Sequence, residues 1–374
     1  MNAILENLLA LTWREPLMWL IGGLLIYLAI KKDMEPALLL PMGFGAILVN
    51  LPFSGAVTQV LQNGETEVGI IDVLFNAGIA NELFPLLLFI GIGAMIDFTP
   101  LLSNPKMLFF GAAAQLGIFL TFSLSALLGF DIKDAASIAI IGAADGPTSI
   151  FVANFFKSNY IGAIVVAAYS YMALVPIVQP PVIRMLTTKK ERLIRMDYNQ
   201  KEVSKLAKIL FPIVLTILAG IAAPKSVALV GFLMFGNLVR ECGVLNSLSQ
   251  TAQKELANLV TLLLGITVAT KMQAHLFLTY ETLLILLLGL AAFIFDTAGG
   301  VILAKVINLF TKNKINPMIG AAGISAFPMS ARVVHKMALS EDPGNYLLMP
   351  AASANVAGQI ASVLAGGLII SLLG

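Results

Sequence analysis

Long apolar runs without a charged side chain constrain the fold of this chain more than any other feature of its sequence. Residues 107–130 and 161–183 contain no Asp, Glu, Lys or Arg, and residues 282–308 contain only Asp296 and Lys305. Each run exceeds the roughly 20 residues that an α-helix needs to cross a bilayer. The chain is 58% hydrophobic and 12% charged, about half the charge of an average soluble protein. The sequence therefore predicts a polytopic helical membrane protein.

The distribution of charge predicts how the chain is oriented and divided. Residues 184–208 hold eight basic and three acidic side chains, and the positive-inside rule places this segment in the cytoplasm, on the same side as Lys31 and Lys32. We expect residues 1–183 to form a first half, residues 184–208 a basic cytoplasmic linker, and residues 209–374 a second half. A solvated linker between two halves is compatible with the same charges. The expected location is the cytoplasmic membrane, with multiple passes.

Residues 141–155, IGAADGPTSIFVANF, place ionisable and polar groups inside an apolar region. An ionisable group at membrane depth costs about 3 kcal/mol or more and marks a functional site. Pro147 interrupts a helix, and broken helices at that depth line a cavity or are buried in protein. The Asp145 carboxylate, the hydroxyls of Thr148 and Ser149 and freed carbonyls form a set of hard oxygen ligands, which suits a small hard cation. The alternative is a kinked helix whose aspartate caps its second half.

An internal repeat also points to residues 141–155 as part of a functional site. Residues 319–323, IGAAG, match residues 141–145, IGAAD. Each copy is followed by a proline and an Asn-Tyr pair, which are Pro147 with residues 159–160 and Pro328 with residues 345–346. Two broken helices at corresponding positions of two halves indicate a transporter site at the repeat interface. Chance similarity between Gly/Ala-rich helices is the alternative. An odd number of spans between the copies would make them inverted.

The second copy lacks the aspartate but carries other polar groups, which are Asn316, Ser325, Ser330 and Arg332, with Asn355 and Gln359 in the last span. Helix capping is the alternative role for Asn316, and bonding to its own backbone is the alternative for Ser325. Arg332 stays charged and needs an anion or water inside a bilayer, unless its side chain reaches the interface.

Eight short motifs together resemble the beta subunits of the biotin-dependent, sodium-translocating decarboxylases. They are GAADGPTSI (142–150), AYSYMALVP (168–176), QPP (179–181), TTKKER (187–192), FDTAGG (295–300), NPMIGAAG (316–323), PMSARV (328–333) and NVAG (355–358). The family includes oxaloacetate, methylmalonyl-CoA, glutaconyl-CoA and malonate decarboxylases. The resemblance implies that an alpha subunit moves the carboxyl group onto biotin, and that the beta subunit cleaves carboxybiotin in the membrane and exports Na⁺.

The resemblance also implies roles for individual residues. Asp145 would bind Na⁺ and take part in proton transfer, Tyr171 would deliver a proton, and Arg332 would bind the carboxylate of carboxybiotin. The implied catalytic residues are Asp145, Tyr171, Ser325 and Arg332. The implied substrate-binding residues are Arg332, Lys271 and Asn316. The implied Na⁺ ligands are Asp145, Thr148, Asn316, Gly320, Ser325 and Asn355.

Residues and resemblance together predict an all-α polytopic membrane protein with about ten or eleven membrane segments. We expect two repeats with broken helices, inverted relative to each other, in an elevator-like core beside a scaffold. The predicted function is a carboxybiotin decarboxylase subunit that couples CO₂ release to Na⁺ export and consumes a proton. Its cofactors would be Na⁺ and a biotin attached to a partner subunit rather than to this chain.

The expected partners are a biotin-carrier subunit or domain, a carboxyltransferase alpha subunit, a small gamma or delta membrane subunit and further beta subunits in a homotrimer. No nucleic acid is expected. The lack of the long N-terminal extension of some oxaloacetate-type members favours an acyl-CoA decarboxylase. The alternatives are an oxaloacetate decarboxylase beta subunit, or a stand-alone Na⁺/H⁺ or Na⁺-coupled transporter, for which the same broken helices and aspartate would suffice.

Overall fold

Backbone hydrogen bonds cannot be made to lipid, so the apolar runs of this chain fold as helices, which satisfy their own backbone. The computed structural model describes residues 9–60, 64–196 and 202–374. Six of the described helical segments are long and apolar enough to cross a membrane, or seven if a pair bent by 60° forms one span. The all-α membrane fold is therefore confirmed. The count of ten or eleven segments, which included shorter half-helices, stays a prediction.

The α-helices are α1 (Arg14–Lys32), α2 (Pro36–Val49), α3 (Ile70–Gly78), α4 (Leu83–Met95), α5 (Thr99–Ser103), α6 (Leu108–Ala113), α7 (Leu116–Leu127), α8 (Ile132–Ala139), α9 (Gly146–Phe155), α10 (Ile161–Leu186), α11 (Lys189–Arg192), α12 (Lys205–Ala222), α13 (Val227–Glu241), α14 (Asn246–Thr251), α15 (Ala257–Val268), α16 (Ala274–Phe277), α17 (Tyr280–Phe310), α18 (Met318–Ala321), α19 (Met329–Glu341) and α20 (Leu348–Leu373). A π-helical segment, Ala252–Leu256, joins α14 to α15. Strands β1 (Gln59–Val60) and β2 (Thr66–Glu67) pair antiparallel.

The first broken helix forms a hairpin, hairpin 1 (residues 132–155). Helix α8 continues as a 3-10 turn to Ala143, and the chain then breaks because Ala144 adopts a left-handed conformation with φ 53°. Helix α9 starts immediately afterwards, with Pro147 in its first turn, where a missing N–H costs nothing. The two ends of hairpin 1 lie side by side, since the Ser158 hydroxyl donates to Asp134 at 2.6 Å.

The second broken helix forms hairpin 2 (residues 318–341), in which residues 322–328 separate α18 from α19. Both of its ends meet Arg192, the last residue of α11. The Asn316 amide donates to the Arg192 carbonyl at 2.9 Å, and the Asn345 amide donates to the same carbonyl at 3.0 Å. The Arg192 guanidinium also pairs with Glu341 at 2.7 Å. Hairpin 2 therefore enters and leaves at one end of the molecule.

The two hairpins enter from opposite ends and meet in the middle. Hairpin 1 has its ends near Ile161, where α10 begins, and hairpin 2 has its ends near the segment that follows Leu186, where α10 ends. The 26 residues of α10 give a helix about 39 Å long. At the tips, the Ser325 N–H donates to the Ala143 carbonyl at 3.2 Å, and the Ser325 hydroxyl donates to the same oxygen. This is the geometry expected of an inverted pair of repeats.

The basic segment between the halves is shorter than the sequence predicted. Helix α10 extends to Leu186 and α12 begins at Lys205, so both ends of the predicted linker, residues 184–208, are helical. The difference arises because apolar residues 185 and 186 continue the pattern of α10, and Ser204 caps α12 by accepting the Ala207 N–H at 3.2 Å. Residues 197–201, which include Asp197 and Lys201, lie outside the described residues.

Candidate functional site

Asp145 lies at the tip of hairpin 1 and is only 3% exposed. It is the N-terminal cap of α9, and its Oδ2 accepts hydrogen bonds from the Thr148 hydroxyl at 2.8 Å, the Gln359 amide at 3.0 Å and the Ser362 hydroxyl at 2.8 Å. Gln359 and Ser362 project from α20. Within the described ranges no Lys, Arg or His forms an ion pair with Asp145. Its carboxylate is therefore held by neutral donors only.

The tip of hairpin 2 completes the site. Its irregular backbone is fixed by Asn355 of α20, whose amide donates to the Ile324 carbonyl at 2.6 Å. The Oδ1 atom of Asn355 is buried and has no hydrogen-bond partner among the described residues. Buried polar atoms are nearly always paired, so an orphaned oxygen needs an explanation, such as an ion that the site binds.

A cavity of about 230 Å³ lies beside the two tips. About 10 to 15 Å³ suffices for one water molecule, so the cavity has room for a small organic head group as well as a cation. On one side it is lined by residues of the tips and the helices behind them, which include Ala144, Asp145, Pro147, Tyr169, Met172, Ser325, Phe327, Pro328 and Gln359. On the other side it is lined by the start of α2, by α4 and by α15, through Glu35, Ala37, Leu88, Ile92, Met95, Ala257, Asn258 and Thr261. The cavity thus lies between the hairpin tips and the facing residues of α2, α4 and α15.

Two tyrosines of α10 face different neighbours. The Tyr169 ring packs against Gly146, and its buried hydroxyl has no hydrogen-bond partner among the described residues. The Tyr171 hydroxyl donates instead to the Leu286 carbonyl of α17, and its ring packs against Gly289. Residues two apart on a helix do not share a face. The cavity beside Asp145 therefore contains Tyr169, which the sequence reasoning did not select.

The structure brings four of the predicted site residues together, which are Asp145, Thr148, Ser325 and Asn355. Asn316 lies at the outer end of hairpin 2, where its Oδ1 accepts the Met318 N–H at 3.1 Å and its amide donates to the Arg192 and Ile194 carbonyls. Gly320 packs against Gly300 of α17 so closely that a Cβ on either residue would overlap the carbonyl oxygen of the other.

The predicted basic residues lie away from the Asp145 cavity. The Lys271 ammonium sits 4.7 Å above the Phe75 ring and lines a second cavity of about 420 Å³ together with His275 and Glu281. Arg332 is exposed on α19, and no acidic partner from the described part of the chain reaches its guanidinium. Neither residue lines the cavity that contains Asp145.

Two of the residues that contact the Asp145 carboxylate lie on α20, the last helix. The sequence reasoning names Gln359 only as a polar residue and does not include Ser362. Their signal was the spacing of Asn355, Gln359 and Ser362, which are four and three residues apart and so lie on one face of α20. A serine in a Gly- and Ala-rich helix has no other mark of function, because serines there commonly bond their own backbone.

A carboxylate at the junction of two broken helices that enter from opposite ends is a feature of ion-coupled membrane transport proteins. The chain belongs to the family described as Na⁺-transporting oxaloacetate decarboxylase beta subunit, whose model matches residues 14–373. This membership confirms the resemblance, and it makes the protein a decarboxylase of the translocase class within a multi-subunit, biotin-dependent complex.

Three relatives illustrate the range of the family. The glutaconyl-CoA decarboxylase subunit beta of Acidaminococcus fermentans is 47% identical over 369 residues, covering 99% of this chain and 96% of the relative. The methylmalonyl-CoA decarboxylase subunit beta of Veillonella parvula is 47% identical, with coverage of 98% and 95%. A probable oxaloacetate decarboxylase beta chain of Vibrio cholerae is 43% identical, with coverage of 98% and 99%.

Proposed function

We propose that this beta subunit cleaves carboxybiotin in the cavity beside Asp145 and couples the loss of CO₂ to export of Na⁺, with consumption of one proton. The observation that carries the proposal is the position of Asp145. It is buried at the junction of the two hairpin tips, it is held by neutral donors only, and it opens onto a cavity that has room for a head group.

Na⁺ would be held by oxygen atoms of the two tips. The proposed ligands are the Asp145 carboxylate, the Thr148 and Ser325 hydroxyls and the Oδ1 of Asn355, which has no other partner among the described residues. Hard oxygen donors of this kind suit a hard cation. Asn316 and Gly320 contribute in this proposal through hairpin 2, because one fixes its outer end to the linker and the other packs it against α17.

The chemistry requires a proton at the moment the bond breaks. When the N–C bond of carboxybiotin cleaves, CO₂ leaves and the ureido nitrogen takes up H⁺. A buried carboxyl group is stable either with a proton or with a bound cation, so Asp145 can release H⁺ as it takes up Na⁺. Export of one Na⁺ against a membrane potential of about 150 mV costs roughly 3 to 4 kcal/mol. The roles of Tyr171, Arg332 and Lys271 in proton delivery and substrate binding stay predictions.

The relatives and the resemblance support proposals for the acyl substrate and the partners. Identity of 47% to the glutaconyl-CoA and methylmalonyl-CoA subunits, against 43% to an oxaloacetate chain, favours an acyl-CoA decarboxylase over an oxaloacetate decarboxylase. We propose a complex with a biotin carrier, a carboxyltransferase alpha subunit and a small gamma or delta subunit, with the beta subunits as a trimer. It would lie in the cytoplasmic membrane with the basic linker in the cytoplasm. Purification from native membranes would identify these partners.

The test is Asp145→Asn in the purified complex, reconstituted in vesicles. We expect loss of both Na⁺-dependent decarboxylation and Na⁺ uptake, while the complex still assembles and the biotin still accepts the carboxyl group. The control is Asp131→Asn, because Asp131 is an exposed helix cap and Asn caps equally well. Normal coupled activity of Asp145→Asn would contradict the proposal. Na⁺ uptake insensitive to avidin would favour a stand-alone transporter.

A further inference from the structure

A second carboxylate lines the cavity that contains Asp145. Glu35 precedes α2 in the short loop after α1, and its side chain contributes to the wall that faces the hairpin tips. It is half-buried, yet no hydrogen bond or ion pair from any described residue reaches its carboxylate. Glu341 and Asp97, by comparison, each contact an arginine, at 2.7 and 3.8 Å. Glu35 is therefore an uncompensated negative charge at a functional cavity.

A structural role does not account for Glu35. It occupies the N-terminal cap position of α2, but its side chain accepts no N–H of that helix. Its backbone is left-handed, with φ 39°, a conformation that favours Gly, Asn and Asp over Glu. The start of α2 therefore does not require a glutamate side chain, since the Glu35 carbonyl alone accepts the Leu38 and Leu39 N–H groups at 3.0 and 2.9 Å.

Polar groups continue from Glu35 along the same wall. Asn258 and Thr261 of α15 line the cavity, three residues apart and so on one helix face. Neither side chain makes a hydrogen bond to another described residue. Polar side chains on a membrane helix face water or protein partners rather than lipid. The buried, unpartnered Tyr169 hydroxyl lies in the same cavity. Glu35, Asn258, Thr261 and Tyr169 thus line one cavity with Asp145, and their side-chain oxygens have no hydrogen-bond partner among the described residues.

The charge around Glu35 determines which ligand it attracts. Its nearest charged neighbour in the loop is another acid, Asp33, and Lys31 and Lys32 of the preceding turn are exposed. Of these charged groups only Glu35 lines the cavity, and a carboxylate in the wall of a low-dielectric cavity concentrates cations there. The lysines mark the end of the molecule that the sequence predicts to be cytoplasmic.

We propose that Glu35, with Asn258 and Thr261, forms a capture site for Na⁺ at the entrance of the cavity, from which the ion passes to Asp145. The inference rests on the proposed function, because it concerns the supply of Na⁺ to that site. Glu35 raises the local concentration of the cation, and the amide and hydroxyl oxygens replace part of its hydration shell.

The test measures decarboxylation by the intact complex as a function of Na⁺ concentration, for Glu35→Gln and the parent protein. We expect the half-saturating Na⁺ concentration to rise about three- to tenfold, with a maximal rate within about twofold of the parent. Glu35→Asp keeps the charge and restores the parent value. Added choline chloride shrinks the difference, because it screens the charge.

The matched control is Asp33→Asn. Asp33 lies two residues away, is exposed, has a left-handed backbone that Asn tolerates, and does not line the cavity. Its half-saturating concentration should stay at the parent value. Equal shifts in Glu35→Gln and Asp33→Asn would overturn the capture site in favour of a diffuse surface potential. A lower maximal rate of Glu35→Gln without a change in its half-saturating Na⁺ concentration would also overturn the capture site.

Two outcomes separate this inference from the proposed function. If Glu35→Gln keeps the parent half-saturation while Asp145→Asn is inactive at every Na⁺ concentration, the capture site is wrong and the Asp145 site stands. If Asp145→Asn keeps coupled activity, the proposed function fails whatever Glu35 does. Asn258→Leu, which removes an oxygen from the wall, should raise the half-saturating concentration as well.

Discussion

At the scale of residues, two buried acids differ in what their carboxylates contact. Asp145 accepts donors from its own helix and from α20 and faces a cavity. Asp296 is fully buried, and its Oδ1 accepts the Gly117 N–H in the first turn of α7. The first N–H groups of a helix lack partners within that helix, so Asp296 caps α7 from the neighbouring α17. Both buried acids thus cap a helix, but Asp145 also lines a cavity, so burial alone does not identify a functional acid.

The hydroxyl of Tyr169 provides a prediction at this scale. Tyr169→Phe removes one hydrogen-bonding group from the cavity and leaves the ring packed on Gly146. A hydrogen bond made to the substrate contributes about 0.5–1.5 kcal/mol, or more when the partner is charged. We expect kcat/KM for the carboxylated carrier to fall about tenfold, as measured by initial rates of CO₂ release. The control, Tyr27→Phe, changes an exposed residue of α1 and should have no effect.

The contrary result is equally specific. If Tyr171→Phe is inactive and Tyr169→Phe is normal, the tyrosine implied by the resemblance acts despite its bond to Leu286. Tyr169 would then not make the hydrogen bond to the substrate that the tenfold expectation assumes.

The sequence predicted the break in hairpin 1 better than it predicted which side chains surround Asp145. Asp145 and Pro147 marked a break at membrane depth, and the repeat marked its counterpart, since charge and proline have strong local effects. The choice between Tyr169 and Tyr171 depends on how α10 is rotated against α9 and α17. That rotation is set by contacts between segments that are distant in the sequence, such as Tyr169 with Gly146 and Tyr171 with Gly289. A single sequence does not reveal these contacts.

At the scale of elements, close packing of helices holds hairpin 2 in place. Gly300 of α17 and Gly320 of α18 let two backbones touch, as small residues commonly do between membrane helices. The hydrogen bonds of Asn316 and Asn345 fix the outer ends of the same hairpin. The packing of α18 and the hydrogen bonds at the outer ends of hairpin 2 therefore both position the tip that carries Ser325.

A methyl group at this contact tests that positioning. Gly320→Ala would push α18 away from α17, and overpacking of this kind costs about 1–3 kcal/mol. We expect a lower melting temperature of the detergent-solubilised protein and reduced Na⁺-dependent activity. Gly23→Ala in α1 is the matched control, because a Cβ there meets no atom within 4 Å and alanine favours a helix. Equal melting temperatures for the two variants would contradict the packing argument.

At the scale of the whole molecule, pH acts on stability through groups that differ between folded and unfolded states. Burial, and to a smaller degree the neighbouring Asp33, raise the pKa of Glu35 above its usual value of 4.5. Between 4.5 and the raised value the native state binds more protons than the unfolded one. The contribution of Glu35 to stability therefore falls as pH rises through that window and stays unfavourable above it.

Glu35→Gln removes this unfavourable term. We expect the variant to melt at a higher temperature than the parent protein at pH 8, with the difference shrinking towards pH 4. Thermal unfolding in detergent at several pH values measures it. A constant difference across that range would mean that the substitution acts through packing rather than through charge.

The contact between Ser325 and the Ala143 carbonyl has a consequence for transport. Because each tip holds the other, neither hairpin can slide alone without breaking the set of oxygen atoms around Asp145. A transition that preserves this contact carries both hairpins as one rigid body past α4 and α15. Under the proposed function, such a movement would keep the Na⁺ ligands of the two tips together, and the stretch of α4 and α15 lying opposite would determine the compartment to which the ion is released.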